Sequence, residues 1–185
     1  MEITGAILLY TLAAMMVTFT GFFALLLSLR QSVGVELTEL DRLLAKTVVS
    51  HLFLVTWGSL LPPLLALYGI PEDWIWRISA LLFAVPMLAH LLTYPYRRRR
   101  ADETMQSPTI YFIFVVFGSA SILAMLIYVL ADLPHSPAAY ITALLINFFT
   151  LAFVFVVALD YILKQQPFKA PEKNEDGASN TQPRA

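Results

Sequence analysis

No cysteine occurs in the 185 residues. That removes disulfides, thiolate metal sites and cysteine nucleophiles, and it leaves the redox compartment open. Charge is also scarce: 14% of the residues are Asp, Glu, Lys or Arg, against 58% that are hydrophobic. A soluble domain carries about 25% charged residues, so most of this chain is not built to face water. The formal net charge of -1 implies no nucleic-acid partner. Several enzyme signatures are missing as well. The chain holds no phosphate-cradling glycine loop, no nucleophile elbow and no His-Glu-x-x-His zinc motif. Ser50 directly precedes His51, so on one helix the two would point about 100° apart and cannot act as nucleophile and base. Met1-Glu2 supplies no basic region of the kind that opens a signal peptide, and the apolar run beginning at Ala6 exceeds the length of a signal core. That first segment is expected to remain attached as a helix.

What the chain does have is long apolar runs. Residues 6–29 carry no charge over 24 positions, about 36 Å of helix, which crosses a hydrocarbon core of about 30 Å with some tilt. Its small residues Ala14, Thr18, Gly21 and Ala24 recur near helical spacing, a pattern that suits close approach of another helix and that also arises by chance. A polar connection follows, and Thr38-Glu39-Leu40-Asp41 has the spacing of a capping box that opens a second helix. The apolar part of that helix, 43–68, contains Pro62 and Pro63, which remove the N–H groups that the carbonyls of Gly58 and Ser59 would use. A kink is expected there, and Gly69 is a natural stop. Further spans are read at 74–96, 108–131 and 138–163, the last two opened by Ser107-Pro108 and Ser136-Pro137 as cap and first helical residue. Residues 164–185 are rich in Lys, Glu, Asn, Gln and Pro, and this composition predicts a disordered tail.

The fold class expected is therefore all-α, a membrane bundle of five transmembrane helices. Its orientation follows from the basic residues. With the N-terminus outside and the C-terminus inside, eleven of the twelve Lys and Arg residues fall on the cytoplasmic side and only Arg77 falls outside. The dominant group is Arg97, Arg98, Arg99 and Arg100, which would fix topology and could also attract anionic lipid headgroups. Tyr10, Tyr68, Tyr94, Tyr96, Tyr111, Tyr128, Tyr140 and Tyr161 all lie within about two turns of a proposed boundary, where amphipathic rings belong. Short loops and a compact chain point to a bacterial inner membrane, with the bilayer as the expected partner and self-association or a membrane-protein partner as the further expectation.

Ionisable and polar residues inside spans are the candidate functional groups. His51 in the second span and His90 in the third come to similar depth if the two helices form an antiparallel hairpin. Facing imidazoles could share a proton, hold a metal or ligate one b-type haem, with Gly58 leaving room for the macrocycle; alternatively each histidine hydrogen-bonds a neighbouring helix. Asn147 is either interhelical glue or a solute ligand. Asp160 either pairs with Lys164 four residues on or faces the bundle near Lys46, at the mouth of a polar path through His51. Trp57, remote from both interfaces, needs an acceptor for its indole N–H. Gly118, Ser119, Ala120, Ser121 and Ala124 form a small-residue patch suited to packing within or between protomers. Three function classes follow. The first is a non-enzymatic accessory or interaction subunit without a cofactor. The second is a proton- or solute-conducting carrier using His51, His90, Asn147 and Asp160, and the third is a haem-binding electron carrier through His51 and His90.

Overall fold

A computed structural model describes residues 3–32, 39–100, 108–130 and 137–164. Five helices occupy them: α1 (Ala6–Ser32), α2 (Glu39–Leu67), α3 (Glu72–Arg100), α4 (Pro108–Leu130) and α5 (Pro137–Lys164). No strand occurs among the described residues, so the chain is all-α. Four of the helices contain segments long and apolar enough to cross a membrane: Ala6–Ser32, Arg42–Leu67, Glu72–Arg97 and Pro137–Val157. The fifth, α4, contributes the shorter apolar stretch Val115–Leu130 within a helix of 23 residues. The proposed caps at Thr38, Ser107 and Ser136, and the tail beyond Lys164, lie outside the described residues.

Local chemistry explains the one tight connection. Gly69 adopts a left-handed φ of 69°, a conformation that glycine enters without a Cβ clash, and α2 ends just before it. The carbonyls of Leu65 and Ala66 are taken up by the N–H groups of Tyr68 and Gly69, which satisfies two acceptors left over at the helix end. Four residues after the end of α2, the Pro71 carbonyl accepts from Trp74 and Ile75 and α3 begins. Glu72 and Asp73 stand in its first turn, where the helix dipole favours negative charge. Glu72 also accepts from the Trp76 indole at 3.4 Å.

Helices α2, α3, α4 and α5 pack in a ring, each against the next, with α5 closing on α2. Helix α1 lies outside the ring, in the groove between α2 and α5. It packs along α2, and its Phe19 and Phe23 meet Phe155 of α5 edge-on at 5.8 and 5.7 Å, the arrangement aromatic quadrupoles prefer. The side of α1 that is buried is Leu9, Leu12, Ala13, Met16 and Phe23. The small residues Ala14, Thr18, Gly21 and Ala24 point away from the bundle, so they do not serve contact among the described residues. Helix α3 continues past the expected end at Tyr96, and the four arginines form its last turn.

Helix α2 runs unbroken through Pro62 and Pro63. The carbonyl of Gly58, deprived of its donor by Pro62, accepts instead from the Tyr140 hydroxyl of α5 at 2.7 Å. Tyr140 is 1% exposed, so no solvent could substitute for either group. Removing the hydroxyl by Tyr140→Phe leaves a buried carbonyl unsatisfied, and the expected cost is about 1–3 kcal/mol. A lowered thermal midpoint in detergent, with helical content retained, is the result to look for; an unchanged midpoint would mean that the carbonyl finds another donor. Trp57 does not take this acceptor. It is 42% exposed on the outer surface of α2, away from the core.

Candidate functional site

The hairpin of α2 and α3 sets the register of the site. Phe83 lies against Gly58 and His90 lies against His51, so positions on the two antiparallel helices of the hairpin meet in step. The two imidazoles face each other with ring centroids 5.9 Å apart and planes at 66°. His51 is 1% exposed and His90 is 8% exposed. The backbone of Asn147 approaches the His51 ring from α5.

Each neighbour of the pair adds a polar group from another part of the ring. On α3, Arg97 folds back over two turns: its Nη2 donates to the His90 carbonyl at 2.9 Å and approaches His90 Nδ1 at 3.3 Å. A guanidinium has donors only. Nδ1 therefore accepts, which puts the proton of a neutral His90 ring on Nε2. On α5, the Asn147 side chain is 1% exposed, and its Nδ2 donates to the Ala143 carbonyl and to Ser121 Oγ, both at 2.8 Å. Because the Ala143 carbonyl can only accept, this contact fixes which end of the amide carries the hydrogens. The Ser121 hydroxyl donates onward to the Gly118 carbonyl of α4 at 3.0 Å. Asn147 Oδ1 is buried and has no hydrogen-bond partner among the described residues.

Arg97 and His90 on α3, His51 on α2, Asn147 on α5 and Ser121 on α4 thus form one polar layer reaching all four helices of the ring. Beyond it the buried side chains are mostly apolar, interrupted by the hydroxyls of Thr47, Ser59, Ser79 and Thr150 and by Tyr140. Two turns along α2, a Cβ at Gly58 would stand 2.5 Å from Phe83 and 3.0 Å from Leu144, and both side chains are fully buried. They separate the histidine layer from the Tyr140–Gly58 contact beyond.

This packing corrects one expectation. As packed, Gly58 gives no room for a macrocycle, since its open side is filled by Phe83 and Leu144. Nor, among the described residues, is any group of three or more His, Cys, Asp or Glu placed to hold a metal ion. The other proposed members of the path are Lys46 and Asp160. Lys46 lies on the exposed face of α2, one position from the buried Thr47. Asp160 stands near the C-terminal end of α5, with its side chain outside the described residues. Of the arginines, Arg97 is partly buried and Arg99 is exposed, while the side chains of Arg98 and Arg100 are not among the described ones.

Two members of the layer were named in the sequence for other roles. Arg97 follows His90 by seven residues, two turns of helix, which places it on the same face; that signal was present and was masked by its membership of a run of four. Ser121 belonged to a patch of small residues, and nothing in its own surroundings distinguishes it from Ser119. Only the packing of α4 on α5 selects it. Comparison of the chain with known protein families, with curated proteins and with solved structures finds no match.

Proposed function

We propose that the chain is an integral membrane protein of the bacterial inner-membrane type, N-terminus outside and C-terminus inside, whose histidine layer handles protons. The observation that carries this reading is the facing of His51 and His90 inside the helix ring. Imidazole is the side chain that exchanges a proton most readily near neutral pH, and ionisable groups within spans are costly enough to mark ion or proton pathways. Two imidazolium charges about 6 Å apart would repel by about 3 kcal/mol at an effective dielectric of about 20. The pair therefore favours carrying one proton at most, which is the property of a relay. Arg97 holds His90 in one tautomer, and Asn147 closes the opposite side. Phe83 and Leu144 give the path an occluded form, so transfer across the membrane requires these two side chains to move.

The test is proton flux into vesicles containing the purified protein, driven by a potassium diffusion potential and followed by an internal pH dye. Flux well above that of empty vesicles is expected, falling to the empty-vesicle rate in a His51→Gln, His90→Gln double variant. Native protein that conducts no better than empty vesicles, or a double variant that conducts like the native chain, overturns the reading.

A second reading, a non-enzymatic accessory or interaction subunit, is favoured by the small residues that face outward. Ala14, Thr18, Gly21 and Ala24 on α1, and Ser119, Ala120 and Ala124 on α4, are all exposed. Small residues on a lipid-facing surface permit close approach of another helix, from a second copy or from a partner protein.

A further inference from the structure

Beside the histidine layer the bundle is open to the side. A groove of about 530 Å³ runs between α2 and α3, lined by Val49, Ser50, Phe53 and Leu54 from one helix and by Pro86, Ala89, His90 and Thr93 from the other. Its α3 wall spans eight residues, about 10 Å along the helix, and it is mostly apolar. Arg97 lies one turn beyond Thr93, at the end of the groove where the arginine run begins. Its guanidinium has no carboxylate partner among the described residues, and its Nε is buried without an acceptor. A partly buried cation at the mouth of an apolar groove is complementary to an anionic head joined to a hydrocarbon chain.

We infer that the α2/α3 groove binds one anionic phospholipid of the cytoplasmic leaflet, with its phosphate on Arg97 and an acyl chain lying over His90. The geometry of a bilayer leaflet agrees with this placement. A headgroup sits at the boundary, where Arg97 stands, and its chain runs inward for about 15 Å, past Thr93 and Ala89 toward Pro86. A lipid seated there covers the lateral opening beside His90, and so controls what reaches the histidine layer from the bilayer. The inference rests on the membrane reading of the chain and not on proton transfer. Lipid binding and proton flux are separate measurements, so either can fail without the other.

The experiment is native mass spectrometry of the purified full chain, titrated with phosphatidylglycerol, with phosphatidylcholine of the same acyl chains and with inorganic phosphate. One molecule of phosphatidylglycerol is expected to bind at least tenfold more tightly than phosphatidylcholine, and inorganic phosphate is expected not to compete. Arg97→Gln should weaken that binding about tenfold, and Arg99→Gln, on the exposed side of the same turn, less than twofold. Ala89→Trp and Ser50→Trp fill the groove from opposite helices; the retention of helical circular dichroism identifies which of them is folded. A folded filler variant should also lose at least tenfold. The assignment is overturned if the two lipids bind alike, if phosphate alone displaces the lipid, if Arg99→Gln costs as much as Arg97→Gln, or if a folded filler variant binds like the native chain.

Discussion

Chains in which Arg97, Arg98, Arg99 and Arg100 are all replaced by uncharged residues are expected to insert in mixed orientation. The four supply that many of the eleven basic residues assigned to the cytoplasmic side, in the connection between the third and fourth helices, and short loops are retained on the cytoplasmic side according to their Lys and Arg content. A reporter that works only in the cytoplasm, fused after Ala185, should be fully active on the native chain and should lose a large fraction of its activity on the variant. The same reporter fused after Asp73 should be silent on the native chain. Uniform orientation of the variant would show that Arg30, Arg42, Lys46 and the basic residues of the C-terminal segment suffice. That the arginines form the last turn of α3 rather than a loop does not alter the expectation, because the charges remain beyond the apolar span.

The second large effect is a pattern of cross-linking. In this cysteine-free chain, cysteines introduced together at positions 51 and 90 should be joined by a short bifunctional thiol reagent. Cysteines at 53 and 88 should not. The two pairs sit at nearly the same depth on the hairpin, so depth cannot account for a difference. His51 and His90 face inward with rings 5.9 Å apart, whereas Phe53 is 68% exposed on the outside of α2. A reagent is needed because a direct disulfide requires Cα atoms within about 7 Å, and packed helices commonly run 8–10 Å apart axis to axis. Strong reaction at 51/90 alone supports the facing pair on which the relay depends. Equal reaction at both pairs, or none at either in folded protein, would dissolve the polar layer as a unit and remove the basis for proton transfer.

The Tyr140–Gly58 contact illustrates how local and long-range information divide in this protein. Pro62 announces in the sequence that the Gly58 carbonyl has lost its donor, because the missing N–H is a property of the residue itself. The replacement comes from a hydroxyl 82 residues away, and no local rule selects Tyr140 over the other seven tyrosines. Asn147 is similar. Its depth in the last helix was legible, but its partner Ser121 was one of several equivalent small residues.

Five helices, the stop at Gly69 and the common depth of His51 and His90 were determined by the sequence itself. All of them depend on the length of apolar runs, on turn chemistry and on the 1.5 Å rise of a helix, which are local quantities. Which face of each helix turns inward was decided only by the tertiary structure: Trp57 and the small residues of α1 face out, Lys46 stays outside the bundle, Phe83 and Leu144 fill the space beside Gly58, and Arg97 folds back on His90. The physical reason lies in the solvent. In water a helix buries its apolar stripe, and periodicity shows which side that is. In lipid the outer surface is as apolar as the interior, hydrophobic periodicity carries little of the choice, and close packing and hydrogen bonds between helices make it instead.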